Sequence, residues 1–301
     1  MLRGLYTSAA GMIAQQRRHD TVTNNISNLN TPGFKQGNAV NRSFPEMLIA
    51  LTNGQANHPG SLNIGLLNTG VFAEEDLSVY VQGDLQQTRQ PFDLALRSHI
   101  NVPGQAFDGA GKGIDEQGNI VYQPQAFFTI AGADDSARYT RNGNFTVSTA
   151  GQLVTEDGYS VVGVNGQPIT LFDDVDNVAF PDAIITETGV LLDPRTGQAI
   201  RDADGNAKQL LLTRIDQPNR LIREGTGLFR LNEDEADLAQ PVAAEDDVTL
   251  YQGYLERSNV DPAQALVDMM TALRAYEANQ KMVQYYDRSL EKAVNEVGRI
   301  G

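Results

Sequence analysis

The 301-residue sequence predicts a mainly β protein with long terminal α-helices. Three observations carry that expectation. Residues 261–297 hold an unbroken helical period, and the first thirty residues hold a second, narrower one. Between them lie short alternating strands punctuated by Asn-Gly and Asp-Gly pairs. At roughly 150 residues per domain, the length fits about two domains.

The C-terminal helix is the clearest element. Asp261-Pro262-Ala263-Gln264 reads as an N-cap, a proline at the first helical position and a capping-box partner. No Pro or Gly follows before Val297, which predicts a helix about 55 Å long. Alternating steps of three and four residues give Leu266, Met269, Leu273, Tyr276, Gln280, Val283, Asp287, Leu290, Val294 and Val297, a heptad seam that needs another helix.

The N-terminus supplies one. Leu2, Leu5, Ala9, Met12, Gln16, His19, Thr23 and Ile26 follow the same step, with Tyr6 and Ile13 widening the stripe. This segment closes at Asn30-Thr31-Pro32-Gly33-Phe34, where Pro-Gly fits the centre of a type II turn. Two pairings stay open: a helical hairpin within one chain, or seams that meet copies of themselves in an assembly.

The middle reads as an antiparallel β body. Strands are expected at Leu77–Gln82, Ala126–Ala131, Tyr139–Arg141, Phe145–Val147, Gln152–Thr155, Tyr159–Val164, Ala183–Thr186, Val190–Leu192, Gln209–Ile215 and Leu228–Leu231. Asn142-Gly143, Asp157-Gly158 and Asn165-Gly166 are read as hairpin turns. Residues 36–76 and 97–125 are rich in Gly, Asn and Gln with weak periodicity, and read as a linker-like subdomain and a long loop. The predicted organisation is a discontinuous helical (coiled-coil) domain at 1–34 and 258–301, a linker-like subdomain at 35–76 and a β-rich domain at 77–257.

Composition removes several function classes. Lys plus Arg number 23 against 38 Asp plus Glu, a formal charge of −15, which argues against a nucleic-acid binder. The acidity sits in the body. Residues 1–42 carry five basic residues and one acid, residues 251–301 six and seven, leaving −18 on residues 43–250. With no Cys there is no disulfide, thiol catalysis or thiolate metal site. No apolar run approaches the ~20 residues of a membrane span, so no membrane insertion is expected. Met1–Ala14 lacks the pattern of a cleaved secretory signal.

No catalytic residue, cofactor site or metal site emerges. His19, His58 and His99 form no spaced ligand pair, and His19 falls on the helical seam. Gly109-Ala-Gly-Lys-Gly113 lacks the Ser or Thr and the preceding strand of a phosphate loop. Asp202-Ala-Asp204-Gly205-Asn206 lacks the sixth-position Gly and twelfth-position Glu of a calcium loop, and a hairpin turn explains it. What remains is interaction. Asn24, Asn25, Asn28 and Asn30 crowd the end of the first helix, where short amides compete with the backbone. They either mark a solvated helix end or satisfy groups across a subunit contact.

Asn24-Asn-Ile-Ser-Asn-Leu-Asn-Thr-Pro-Gly-Phe-Lys35 closely resembles the N-terminal signature of flagellar rod and hook proteins, as does Leu5–Ala14. Leu255-Glu-Arg-Ser-Asn-Val260 and Met270-Thr-Ala-Leu-Arg-Ala-Tyr-Glu-Ala-Asn-Gln-Lys281 fit the same family at the other end. Phe92–Leu96, Phe127-Phe128 and Tyr139-Thr-Arg-Asn-Gly-Asn-Phe145 resemble its shared β-domain pattern. Among members, the chain looks most like hook-basal body proteins related to the proximal and distal rod subunits.

The resemblance implies a D1-like β body lying outside paired terminal helices that stack into a tube. It also implies export through the flagellar type III apparatus without a cleaved signal peptide, and a torque-transmitting, non-enzymatic role in the basal-body rod. Its expected partners are copies of itself and homologous rod and hook proteins, joined by a chain that is monomeric, with loosely paired ends, before assembly. The residues expected to carry assembly are Leu5, Met12, Ile13, Asn24, Asn25, Asn28, Thr31, Pro32, Gly33, Leu266, Met269, Leu273, Tyr276, Asn279, Val283, Leu290 and Val294. One departure from the family pattern is an apparent insertion of roughly 25 residues within 97–125. The rival readings are a rod-associated cell-wall hydrolase and a phage-tail-like surface β protein.

Overall fold

The computed structural model describes residues 2–51, 62–67, 70–109, 111–115, 117–132, 136–174, 178–225 and 227–297. The chain divides into two compact units. Unit 1 comprises Met1–Ser27, Gly37–Leu77 and Asp261–Gly301; unit 2 comprises Asn28–Gln36 and Ser78–Val260.

Unit 1 holds both long helices, α1 (Leu2–Ser27) and α2 (Pro262–Lys292), with a π-helical turn at Ala293–Val297 ending the second. Asp261 caps α2, its side chain accepting from the N–H groups of Ala263 at 2.8 Å and Gln264 at 3.1 Å. The reciprocal capping-box bond is replaced: the Gln264 amide donates to Asp268 at 3.3 Å. Unit 1 also contains four strands where a linker was expected. Gly37–Ser43 pairs with Val71–Ser78, and Met47–Leu51 pairs antiparallel with Leu62–Leu67. The second pair is apolar at nearly every position, so it carries no two-residue alternation for sequence reading to detect. By compactness, residues 28–36 group with the β unit and 37–77 with the helices.

Unit 2 is built on a six-stranded sheet in the order Ile222–Arg223, Leu228–Arg230, Ala137–Thr140, Gln125–Ala131, Leu212–Ile215 and Ala239–Pro241. Every pairing is antiparallel. Gln125–Ala131 lies at its centre, and neighbouring residues point to opposite faces. Phe128 and Ile130 join Leu94, Leu96, Phe145, Leu153 and Leu212 in the larger core; Phe127 joins Tyr80, Tyr139, Ile215 and Phe229 in an aromatic cluster on the other face. Burial on both faces explains why this strand reads as a continuous apolar run.

Two expected features differ. Asn142-Gly143 is no hairpin turn: Ala137–Thr140 pairs within the main sheet, whereas Phe145–Val147 pairs with Leu153–Thr155. Gly143 is there for close approach, since a Cβ would overlap the Leu94 carbonyl, which lies beside the 2.9 Å bond from Leu94 N–H to Gly143 O. The expected strand at 77–82 ends at Ser78, because the following carbonyls are taken by side chains, as described below. Within 97–125, Lys112–Ile114 and Ile120–Tyr122 form a small hairpin, tied at its tip by Asp115, which accepts from the N–H groups of Gln117 and Asn119.

Candidate assembly site

α1 and α2 run antiparallel. Gly4 lies against Tyr286, Gly11 against Asn279, and Arg18 pairs with Asp268 at 3.1 Å. A side chain at Gly4 would overlap the Tyr286 ring, and a Cβ at Gly11 would stand 3.0 Å from Asn279 Nδ2. Glycines seven residues apart thus let the helices approach closely. On α2 the buried residues are Ala265 and Ala272, again seven apart.

This shifts the expected seam by one residue at every second position. Met269, Tyr276, Val283 and Leu290 are half-buried, as is Asn279. Leu266, Leu273 and Val294 instead face outward, 52%, 48% and 71% exposed. The seam steps through Ala265, Met269, Ala272, Tyr276, Asn279, Val283, Tyr286, Leu290 and Ala293. Apolar periodicity favoured the larger neighbours 266, 273 and 294, but close helix contact selects the small residues beside them. Leu266, Met270 and Leu273, with Val267 alongside, form an outward apolar stripe on the first turns of α2. On α1, Leu5 and Met12 are half-buried, whereas Ile13 and Tyr6 are exposed.

The asparagines separate by role. Asn25 is buried, donating from Nδ2 to Gly37 O at 2.8 Å and accepting from Gly37 N–H at 2.9 Å. That pins the end of α1 to the start of the Gly37–Ser43 strand within one chain. Asn24 is exposed, and Asn28 accepts from the Thr31 hydroxyl at 3.1 Å.

A second cluster lies wholly within unit 2. In Thr31-Pro32-Gly33-Phe34 the Phe34 N–H donates to Thr31 O at 3.3 Å, and Gly33 has φ +68°, as the third residue of a type II turn requires. Thr31 and Pro32 are half-buried and Gly33 is buried. Gly33 N–H then donates to Glu256 O at 2.8 Å, Gln36 N–H to Asn259 Oδ1 at 2.7 Å, and Val79 N–H to Gln36 O at 2.8 Å. Asn259 Nδ2 donates to the carbonyls of Val79 and Val81 at 2.8 and 3.2 Å. Arg223 caps the segment, its guanidinium 4.9 Å from the Phe34 ring centre and 2.7 Å from Lys35 O.

Beneath this strap, three buried charges meet. Lys35 Nζ donates to Glu256 Oε1 at 2.6 Å and to Val81 O at 2.8 Å. Arg141 Nε lies 3.2 Å from Glu256 Oε2, close as an ion pair but out of line for a hydrogen bond. Its other nitrogens donate to Ala126 O at 2.7 Å, Gln82 Oε1 at 2.9 Å and Ser98 Oγ at 3.2 Å. Two cations thus share one anion. Burial, reinforced by Arg141, brings Lys35 down from 10.5 to about 8, against the pull of Glu256. Burial alone would raise Glu256, but Arg141, Lys35 and the Gly83 N–H outweigh it and hold the carboxyl below its usual range.

Lys35, Arg141, Glu256 and Asn259 stand inside the sequence motifs, but their roles depend on one another across the fold. Their signal was available: charged residues embedded in turn and apolar motifs at both ends of the chain. Nor was the Gly4/Gly11 and Ala265/Ala272 spacing used, though it stands in the sequence.

Among the described residues, no group of three or more His, Asp or Glu is placed to hold a metal ion. A cavity of about 600 Å³ is lined in part by Asp174, Asp202, Asp204 and Lys208. The Lys208 ammonium there is already bonded to Thr170, the Phe172 carbonyl and Asp174. Asp115 and Asp193 are held below the usual carboxylate range by hydrogen bonds from Asn119 and from the Arg195 N–H, the reverse of what a general acid needs.

Comparison with known proteins places these features. Residues 5–35 match the family described as flagella basal body rod protein, 123–192 the flagellar hook protein FlgE/F/G D1 domain, and 251–296 the flagellar basal body rod FlgEFG protein C-terminal region. Over 301 residues, covering all of both chains, the sequence is 36% identical to the flagellar hook-basal body complex protein FlhO of Bacillus subtilis. The chain belongs to the flagellar basal-body rod and hook protein family. It is 30% identical to the flagellar basal-body rod protein FlgG of Borreliella burgdorferi over 98% of each chain, and 28% identical to FlgG of Bacillus subtilis over 98% and 99%. Lys35, Arg141 and Glu256 fall one in each of the three matched family regions, so the buried ion cluster joins segments that the family defines separately. Among the described residues, no helix is long and apolar enough to cross a membrane.

Proposed function

We propose that this chain is a structural, non-enzymatic subunit of the bacterial flagellar basal-body rod. It polymerises through its terminal helices with copies of itself and with homologous rod and hook proteins into a torque-transmitting shaft. The observation that carries the reading is the outward stripe Leu266, Met270 and Leu273 on a helix pair whose own seam is closed by small residues. Apolar surface left at half exposure on a helix already paired is surface for further helices. The greater identity to FlhO than to FlgG of the same organism supports a specialised rod paralogue. Export by the flagellar apparatus without a cleaved signal peptide, and a monomeric state before assembly, complete the proposal.

Leu273→Asp tests it. Leu273 lies outside the intramolecular seam, so the variant folds as the wild type does. In a strain lacking the native gene, it is expected to be made and yet absent from purified basal bodies, with motility lost. Normal incorporation and swimming would remove the stripe from the assembly mechanism.

A further inference from the structure

The chain passes between the two units four times, at 27/28, 36/37, 77/78 and 260/261. Residues beside three of these crossings are stapled to one another inside unit 2: Gln36, Val79 and Asn259 are mutually hydrogen-bonded, and Phe34 O accepts from Asn259 N–H at 3.4 Å. The strap between the first two crossings is sealed by Lys35 and Glu256, 221 residues apart.

From this we infer that residues 28–36 form a separately openable strap, locked by Glu256 between Lys35 and Arg141. The strap adds no strand to the six-stranded sheet; Phe34 is buried, and around it hydrogen bonds, a cation–π contact with Arg223 and the Glu256 carboxylate hold the strap. Elements held that way open at lower free energy than a core strand such as Gln125–Ala131. Unseated, its nine residues span up to about 30 Å of extended chain. Glu256 is the lock because, among the described residues, it is the anion paired with both buried cations; without it, Lys35 and Arg141 face each other unneutralised. Within the family the device concerns neither helix stacking nor the outward stripe, so it stands if the assembly reading fails.

The test is amide hydrogen exchange on the full-length protein, paired with brief trypsin digestion, which cuts after Lys35 when the strap is out. In the wild type, the Gly33 and Gln36 amides should exchange faster than Thr129 and Leu212 of the central strands, yet stay protected. In Glu256→Gln, strap exchange and cleavage after Lys35 should rise at least 100-fold with the weak urea dependence of a local opening, while Thr129 and Leu212 stay slower than the strap and keep the steep urea dependence of whole-unit unfolding. If Glu256→Gln does not fold, Asn259→Ala, which buries no unpaired charge, should raise strap exchange at least 10-fold with the same weak urea dependence. Equal urea dependence in strap and central strands, or a strap unaffected by either variant, overturns the proposal.

Discussion

Unit 2 buries its large side chains. Leu94, Phe127, Phe128 and Ile130 are wholly out of solvent, and its exposed apolar residues, Ile114 and Ile120 foremost, lie outside the six-stranded sheet. Along α2 of unit 1 the order is inverted: Ala265 and Ala272 are buried while Leu266, Met270 and Leu273 remain about half exposed. Full burial of a leucine or methionine is worth roughly 1.5–3 kcal/mol, so the β unit has taken most of its hydrophobic stabilisation and the helix pair has not. The six-stranded sheet is a finished core, and on the proposed reading the helix pair keeps its apolar area for other chains.

The largest expected contrast concerns buried charge. Glu256→Gln leaves two cations without their anion and should destabilise unit 2 by about 3–5 kcal/mol, whereas Lys35→Met leaves the Arg141–Glu256 pair balanced and should cost about 1 kcal/mol or less. Urea unfolding followed by near-ultraviolet circular dichroism measures both. Similar losses in the two variants would show that Glu256 does not hold the cluster together.

In the helix pair, Gly11→Leu forces a large side chain against Asn279 and should cost about 1–3 kcal/mol, with exchange rising along both helices and the β unit unchanged. Gly11→Ala meets only the tip of that amide, and the gain of about 1 kcal/mol from helix propensity offsets the contact. A destabilising Gly11→Ala would mean that the helices tolerate no adjustment.

The pH response sharpens the comparison further. Lys35 loses its proton near pH 8 in the folded chain and near 10.5 when unfolded, so between those values the unfolded state binds more protons and unit 2 gains stability as pH rises. The gain over that window is about 3 kcal/mol. It should vanish in Lys35→Met, seen as the difference between wild-type and variant urea midpoints from pH 7 to 10.5. Glu256 acts at the other end: its contribution is complete above the ordinary carboxylate range and is lost as pH falls through its lowered value.

Much of this architecture was legible because it rests on local chemistry. Asp261-Pro262 announces a helix start wherever it packs, and Ala126–Ala131 is too apolar to lie anywhere but in a core. The errors arose where a residue's role depends on a distant partner. Gly143 was read as a turn residue, but its neighbour is Leu94, from another part of the chain. Leu266 and Leu273 satisfy a heptad count as well as Ala265 and Ala272 do, and only the glycines on α1 decide which pair faces inward. Met47–Leu51 lacks alternation because its companion strand is apolar too. Lys35 and Glu256 each look like surface residues until the chain ends are brought together.

The smallest expected effect on folding accompanies the largest on assembly. Leu266→Asp with Leu273→Asp, placed on the outward stripe, should change the unfolding free energy of the isolated protein by less than about 1 kcal/mol. Electron microscopy and immunoblotting of basal bodies from cells carrying only this double variant address the central claim directly. The account predicts a stable, soluble subunit missing from the rod. Basal bodies containing the variant at wild-type levels, in motile cells, would contradict it.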